Sequence, residues 1–218
     1  MTFVKAAPLI AILAASLVAS SVAAAPPAPD EAELRAILFP AVKTKELDRL
    51  GAAALPALLR LYQRSDEEDR AVLAYAFYRI GVPSSEAKRL LMRDAHTSNP
   101  RLRLQVQWAL GRVSNDPDVV DVLLDTMRHD DNPLFRDKAA CALANDQAHL
   151  SESQKVDLFA RLIDAMRDPN PQVRDIAYRA LVLQTGQSKG FDPQAPLGQR
   201  EKAIREWERW LDEYRSNL

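Results

Sequence analysis

The 218-residue chain has one cysteine, three histidines and only six glycines. A single thiol, Cys141, excludes an intramolecular disulfide, so stability has to come from packing. Cys141 lies among alanines in "KAACALA" and reads as a small apolar packing residue. His96, His129 and His149 stand far apart, so no histidine pair can face one metal ion from adjacent helical turns. The densest group of potential ligands, His129, Asp130 and Asp131, reads as a solvated turn. So few glycines leave no phosphate-cradling loop, no serine lies in a Gly-x-Ser-x-Gly elbow, and the acidic run from Ser65 to Asp69 is a polar turn. No catalytic residue, cofactor or metal is therefore expected. Charge of one sign is missing too: the formal net charge is −1, which offers neither the basic excess of a nucleic-acid binder nor an acidic tail for a basic partner. No stretch alternates with period two, so no sheet is expected.

What is present begins with an apolar leader. Lys5, the apolar stretch from Ala6 to about Val18 and the small residues around Ala23 have the layout of a secretory signal peptide over residues 1–24. Pro26 and Pro27 favour cleavage after Ala23 or Ala24 over cleavage after Ala25. The stretch from Ala6 to Ala25 is about as long as a membrane span, but its many Ala and Ser residues are weakly apolar for that role. The mature chain is expected to be periplasmic or secreted, without a stable membrane span, and large enough for one domain with a substantial core.

Four segments then repeat one outline. Arg70, Arg103, Arg136 and Arg174 are spaced by 33, 33 and 38 residues, each followed six residues later by an alanine (Ala76, Ala109, Ala142, Ala180). Twelve residues before each stands a leucine: Leu58, Leu91, Leu124, Leu162. Such self-similarity marks a stack of repeats. Each unit has room for two helices, A carrying the leucine and B opening just before the arginine. In the last three units the turn reads Asn-Pro, at Asn99, Asn132 and Asn170; the amide side chain can cap free backbone N–H groups, and proline costs nothing at the first helical position.

The units resemble HEAT-like repeats through Pro56 in the first A helix, Asp130 and Asp168 six residues before the B-helix arginine, the apolar Leu102, Phe135 and Val173 just before it, and the arginine itself. The resemblance covers about residues 46–186. Arg64 and Thr97 replace the aspartate in the first two units, Asp69 replaces the apolar residue in the first, and only the first unit has the proline. The resemblance implies an all-α solenoid of about four HEAT-like helix pairs (46–81, 84–114, 117–146, 151–186) with N- and C-terminal capping helices. It also implies an aspartate–arginine ladder, complete only for Asp130 with Arg136 and Asp168 with Arg174, which should make those units the best ordered.

The ends differ from the middle, as a stack needs. Asp30 with Glu33 opens an N-terminal cap over residues 30–45. Residues 187–218 form a C-terminal cap whose Phe191, Asp192, Pro193, Trp207 and Trp210 resemble the closing segment of exported bacterial HEAT-like proteins, the tryptophans serving as core fillers.

On the B helices, the columns three, six, seven and ten after the arginine are mostly apolar and face the A helices. The columns one, five and eight after it point the opposite way, which in a HEAT-like stack is the concave surface. There the first two units carry Tyr75, Tyr78, Leu104 and Trp108, flanked by Arg79 and Arg112. Aromatic and Arg residues of this kind are enriched where interfaces draw most of their energy. These six residues are the candidate partner-binding site, unless the N-terminal cap folds over the tyrosines. The expected function is a non-catalytic protein-binding scaffold. Alternatives are an accessory subunit binding the cell envelope or its polymers, and, through resemblance to HEAT-like bilin lyases, a lyase-like enzyme.

Overall fold

A computed structural model describes residues 26–147 and 149–218; the expected signal peptide lies outside the described residues. Among the described residues there are helices and no strand. Helices α1 (Glu31–Leu38) and α2 (Thr44–Leu50) run through a 3-10 turn (Gly51–Ala54) into four helix pairs. These are α3 (Leu55–Arg64) with α4 (Glu67–Ile80), α5 (Ser85–Arg93) with α6 (Pro100–Val113), α7 (Pro117–His129) with α8 (Pro133–Asn145), and α9 (Glu152–Ala165) with α10 (Pro171–Thr185). Helix α11 (Leu197–Ser216) closes the chain.

Two layers result. The A layer holds α3, α5, α7 and α9, extended by α1 at one end and α11 at the other; the B layer holds α4, α6, α8 and α10, extended by α2. Both layers bury large apolar side chains, and the B layer adds a run of buried alanines. The A helices bury Leu58, Leu61, Leu90, Leu91, Leu123, Leu124, Leu162 and Ile163, each contributing about 1.5–3 kcal/mol by leaving water. The B helices bury large residues such as Phe77, Leu110, Leu143 and Leu181 as well as the small Ala74, Ala109, Ala140 and Ala177, and the alanines let neighbouring B helices approach closely. The stack is an α-solenoid.

The turns explain why the B helices start where they do. Asn99 accepts hydrogen bonds from the amides of Arg101 and Leu102, Asn132 from Leu134 and Asn170 from Gln172, with Pro100, Pro133 and Pro171 at the first helical position. Two residues earlier, Thr97, Asp130 and Asp168 each accept the asparagine's own amide, at 3.2, 2.8 and 2.9 Å. Thr97 thus does in the second unit what aspartate does in the third and fourth. The expected caps at the N-terminus are present as well: Asp30 and Glu33 form a reciprocal capping box.

Candidate interaction surface

Each B-helix arginine reaches forward to the following unit. Arg70 pairs with Asp94 at 3.1 Å, and the Tyr62 hydroxyl donates to the same carboxylate at 2.7 Å. Burial and that bond push the Tyr62 phenol far above its ordinary value, so it stays a donor. Arg103 pairs with the buried carboxylate of Asp130 and stacks over Phe135 at 4.5 Å. Arg136 donates to the Gln172 amide oxygen, and Arg174 donates to the Pro193 carbonyl at 2.7 and 2.9 Å. Three of the four also tie their own turn: Arg70 to the Ser65 carbonyl, Arg136 to Asp130 and Asp131, and Arg174 to Asp168 and Pro169.

This differs from the ladder that the resemblance implied. Asp130 offers Arg136 only its backbone carbonyl, because its carboxylate is taken by Arg103. Asp168 likewise gives Arg174 its carbonyl, while its carboxylate lies 3.6 Å from Arg128. The ladder is not confined to the last two units either, since Asp94 supplies the second unit's acceptor from a different position. The A layer is bound together on its outer side by exposed ion pairs between successive helices: Arg60–Glu31, Lys88–Asp118, Arg161–Asp121 and Arg167–Glu208, at 2.6–2.9 Å. At such exposure each is worth about 0–1 kcal/mol.

The opposite face of the B layer is different. The Tyr75 and Tyr78 rings lie 6.2 Å apart on α4, and Tyr78 lies 6.0 Å from Trp108 on α6. The Arg112 guanidinium lies 5.5 Å above the Tyr78 ring. All four, with Leu104, are partly exposed. The six candidate residues therefore fall on two adjacent helices, with five of them forming one row. Arg79 stands at its margin, bound to Asp48 of α2, and this bond raises its pKa. The N-terminal cap thus touches the row at Arg79 and leaves the tyrosines partly open.

Three positions in the same columns are covered. Ala71, Gly111 and Ala144 are buried. At Gly111 an added Cβ would come within 3.0 Å of the Asp146 carbonyl oxygen and 2.9 Å of the Gln147 amide nitrogen. The α8–α9 connection folds back onto the end of α6: His149 bonds the Arg112 carbonyl at 3.1 Å, and Asn115 donates to the His149 carbonyl at 3.1 Å. Burial there pushes the Asp146 carboxyl up to about 6, with Arg112 pulling it back. The longer 38-residue spacing was the sequence signal for this connection. Further along the face, Cys141 is half-buried, with its thiol pushed up by burial, and lines a shallow cleft with Asp137 and Arg179.

Stacked helix pairs joined by a one-way arginine ladder define a helical-repeat scaffold, a class that generally serves protein interaction without catalysis. Residues 55–144, from α3 to the last turn of α8, match the family described as HEAT repeats. No curated protein and no solved structure matches the chain. Among the described residues no helix is long and apolar enough to cross a membrane, and no group of His, Cys, Asp and Glu is placed to hold a metal ion.

Proposed function

We propose that the chain is a non-catalytic protein-binding scaffold working outside the cytoplasm, and that its partner docks on Tyr75, Tyr78, Arg79, Leu104, Trp108 and Arg112. The observation that carries this reading is the aromatic row from Tyr75 through Tyr78 to Trp108, partly open to solvent in a molecule whose outer layer is laced with ion pairs. Rigid rings bury large area at little entropic cost, and removing one central anchor commonly weakens binding by about 2 kcal/mol or more. The signal-peptide layout of the first residues supports an encounter in the periplasm or outside the cell.

The test is Trp108→Ala in crosslinked capture from a periplasmic fraction, with thermal unfolding alongside. The variant should lose the species that the wild type retains, while its stability falls by less than the roughly 3–5 kcal/mol of a full core truncation. Undiminished capture would move the interface elsewhere.

A further inference from the structure

Within this face one charge stands apart. The other cations on or beside it already have carboxylates: Arg79 has Asp48, Arg101 has Glu68 at 2.9 Å, Lys138 has Asp137 at 3.2 Å, and Arg179 has Asp175 at 3.2 Å and Asp137 at 3.5 Å. Arg112 forms no ion pair with any described residue, and its side chain donates no hydrogen bond to one. Its Nε is buried and without a partner. Asp146 feels its charge, but lies beyond ion-pair distance.

The guanidinium is nevertheless held in place. It lies over the Tyr78 ring and against the carbonyl end of α4, where a Cβ on Gly81 would stand 3.3 Å from Nη2. An aromatic face and a helix C-terminus both attract a cation without satisfying its directional donors. Arg112 is thus a preorganised guanidinium, unpaired among the described residues, beside the Tyr78 and Trp108 rings. A planar fork of this kind suits a carboxylate, and the rings beside it suit an aromatic or aliphatic side chain.

We propose that this surface takes an acidic segment of a protein partner, with a carboxylate bound to Arg112 and a flanking apolar side chain on Trp108 and Tyr78. This rests on the scaffold reading above and adds the chemistry of its partner. A neutral or basic segment would leave Arg112 unpaired or repelled at the centre of the buried patch, which costs more than leaving it in water.

The experiment uses the mature chain and three fluorescein-labelled peptides: one alternating Glu with Phe, its counterpart with Gln for every Glu, and one with Lys for Glu. Fluorescence anisotropy should show the acidic peptide binding about tenfold or more tighter than the Gln peptide, a preference that shrinks as salt rises. R112Q should lower affinity for the acidic peptide by about the same factor and weaken the Gln peptide much less, so that the preference between the two largely disappears, with R112K in between. W108A should weaken both. Equal binding of the Glu and Gln peptides, both weakened by W108A, would overturn the acidic partner while leaving the surface standing. Preference for the Lys peptide, no binding of any peptide, or self-association that R112Q abolishes would also overturn it. The wild-type comparison does not depend on any variant folding.

Discussion

Gly111→Ala sets two forces against each other at a single position. Gly111 lies within α6, two residues before its last residue, Val113. In a helix interior alanine is favoured over glycine by about 0.8–1 kcal/mol. Against that, the new methyl would meet the Gln147 amide nitrogen at 2.9 Å, the Asp146 carbonyl oxygen at 3.0 Å and the Asp146 carbonyl carbon at 3.1 Å. The amide can swing aside, but the other two atoms are backbone, so the whole connection after α8 has to shift. That would strain the His149 contact to the Arg112 carbonyl and loosen the cover over the end of α6. Overpacking of this sort typically costs about 1–3 kcal/mol, which outweighs the propensity gain and predicts a net loss of about 1 kcal/mol. Urea denaturation measures it. Gly198→Ala is the control, because Gly198 lies in the first turn of α11 with nothing within 4 Å of an added Cβ; it should be neutral or gain up to about 1 kcal/mol. Hydrogen exchange at Asp146, Gln147, His149 and Leu150 should quicken in the Gly111 variant alone. A Gly111→Ala protein as stable as the wild type would refute the close approach of the connection to α6.

Asp146→Asn should stabilise the protein at neutral pH. Its carboxyl is raised to about 6 by burial, so the folded chain holds a proton that the unfolded chain releases. The wild type should therefore lose stability as pH rises from about 4 through 6, with a ceiling near 3 kcal/mol, and the variant should lose that slope. Thermal unfolding across pH checks it, and parallel curves would contradict the buried carboxyl. Arg103→Ala leaves the Asp130 carboxylate unpaired in a buried place and should cost about 3–5 kcal/mol. Arg101→Ala, which removes only an exposed pair with Glu68, should stay within about 1 kcal/mol of the wild type. Equal losses for the two arginines would mean the ladder contributes no more than a surface ion pair.

Most of the fold was legible because its determinants are local. A period in arginine, alanine and leucine, and an Asn-Pro pair at each of the last three turns, are properties of neighbouring residues in the chain. The units, the B-helix starts and the capping box at Asp30 follow from them. The ladder's pairing was not legible, because which acceptor an arginine reaches depends on how far one unit is shifted against the next. Arg103 passes over its own turn to Asp130, and Asp94 stands outside the column, six before the arginine, that holds Asp130 and Asp168. The candidate surface was half legible. Helical geometry put Tyr75, Tyr78, Leu104 and Trp108 on one side of their helices, but the stacking of Arg112 on Tyr78 needs two helices at a set distance. The burial of Gly111 needs a connection from the following unit, whose only trace was five extra residues in the repeat.

Because every ladder arginine looks toward the C-terminus, the stack has a direction that its nearly identical units would not reveal. Peeling units from the N-terminal end removes donors and leaves acceptors behind, among them the carboxylates of Asp94 and Asp130. Peeling from the C-terminal end removes acceptors instead: without the closing segment Arg174 loses the Pro193 carbonyl and keeps only the carbonyls of its own turn. A break between any two units therefore leaves guanidinium donors on its N-terminal side and their acceptors on its C-terminal side, so the two broken faces are chemically unlike.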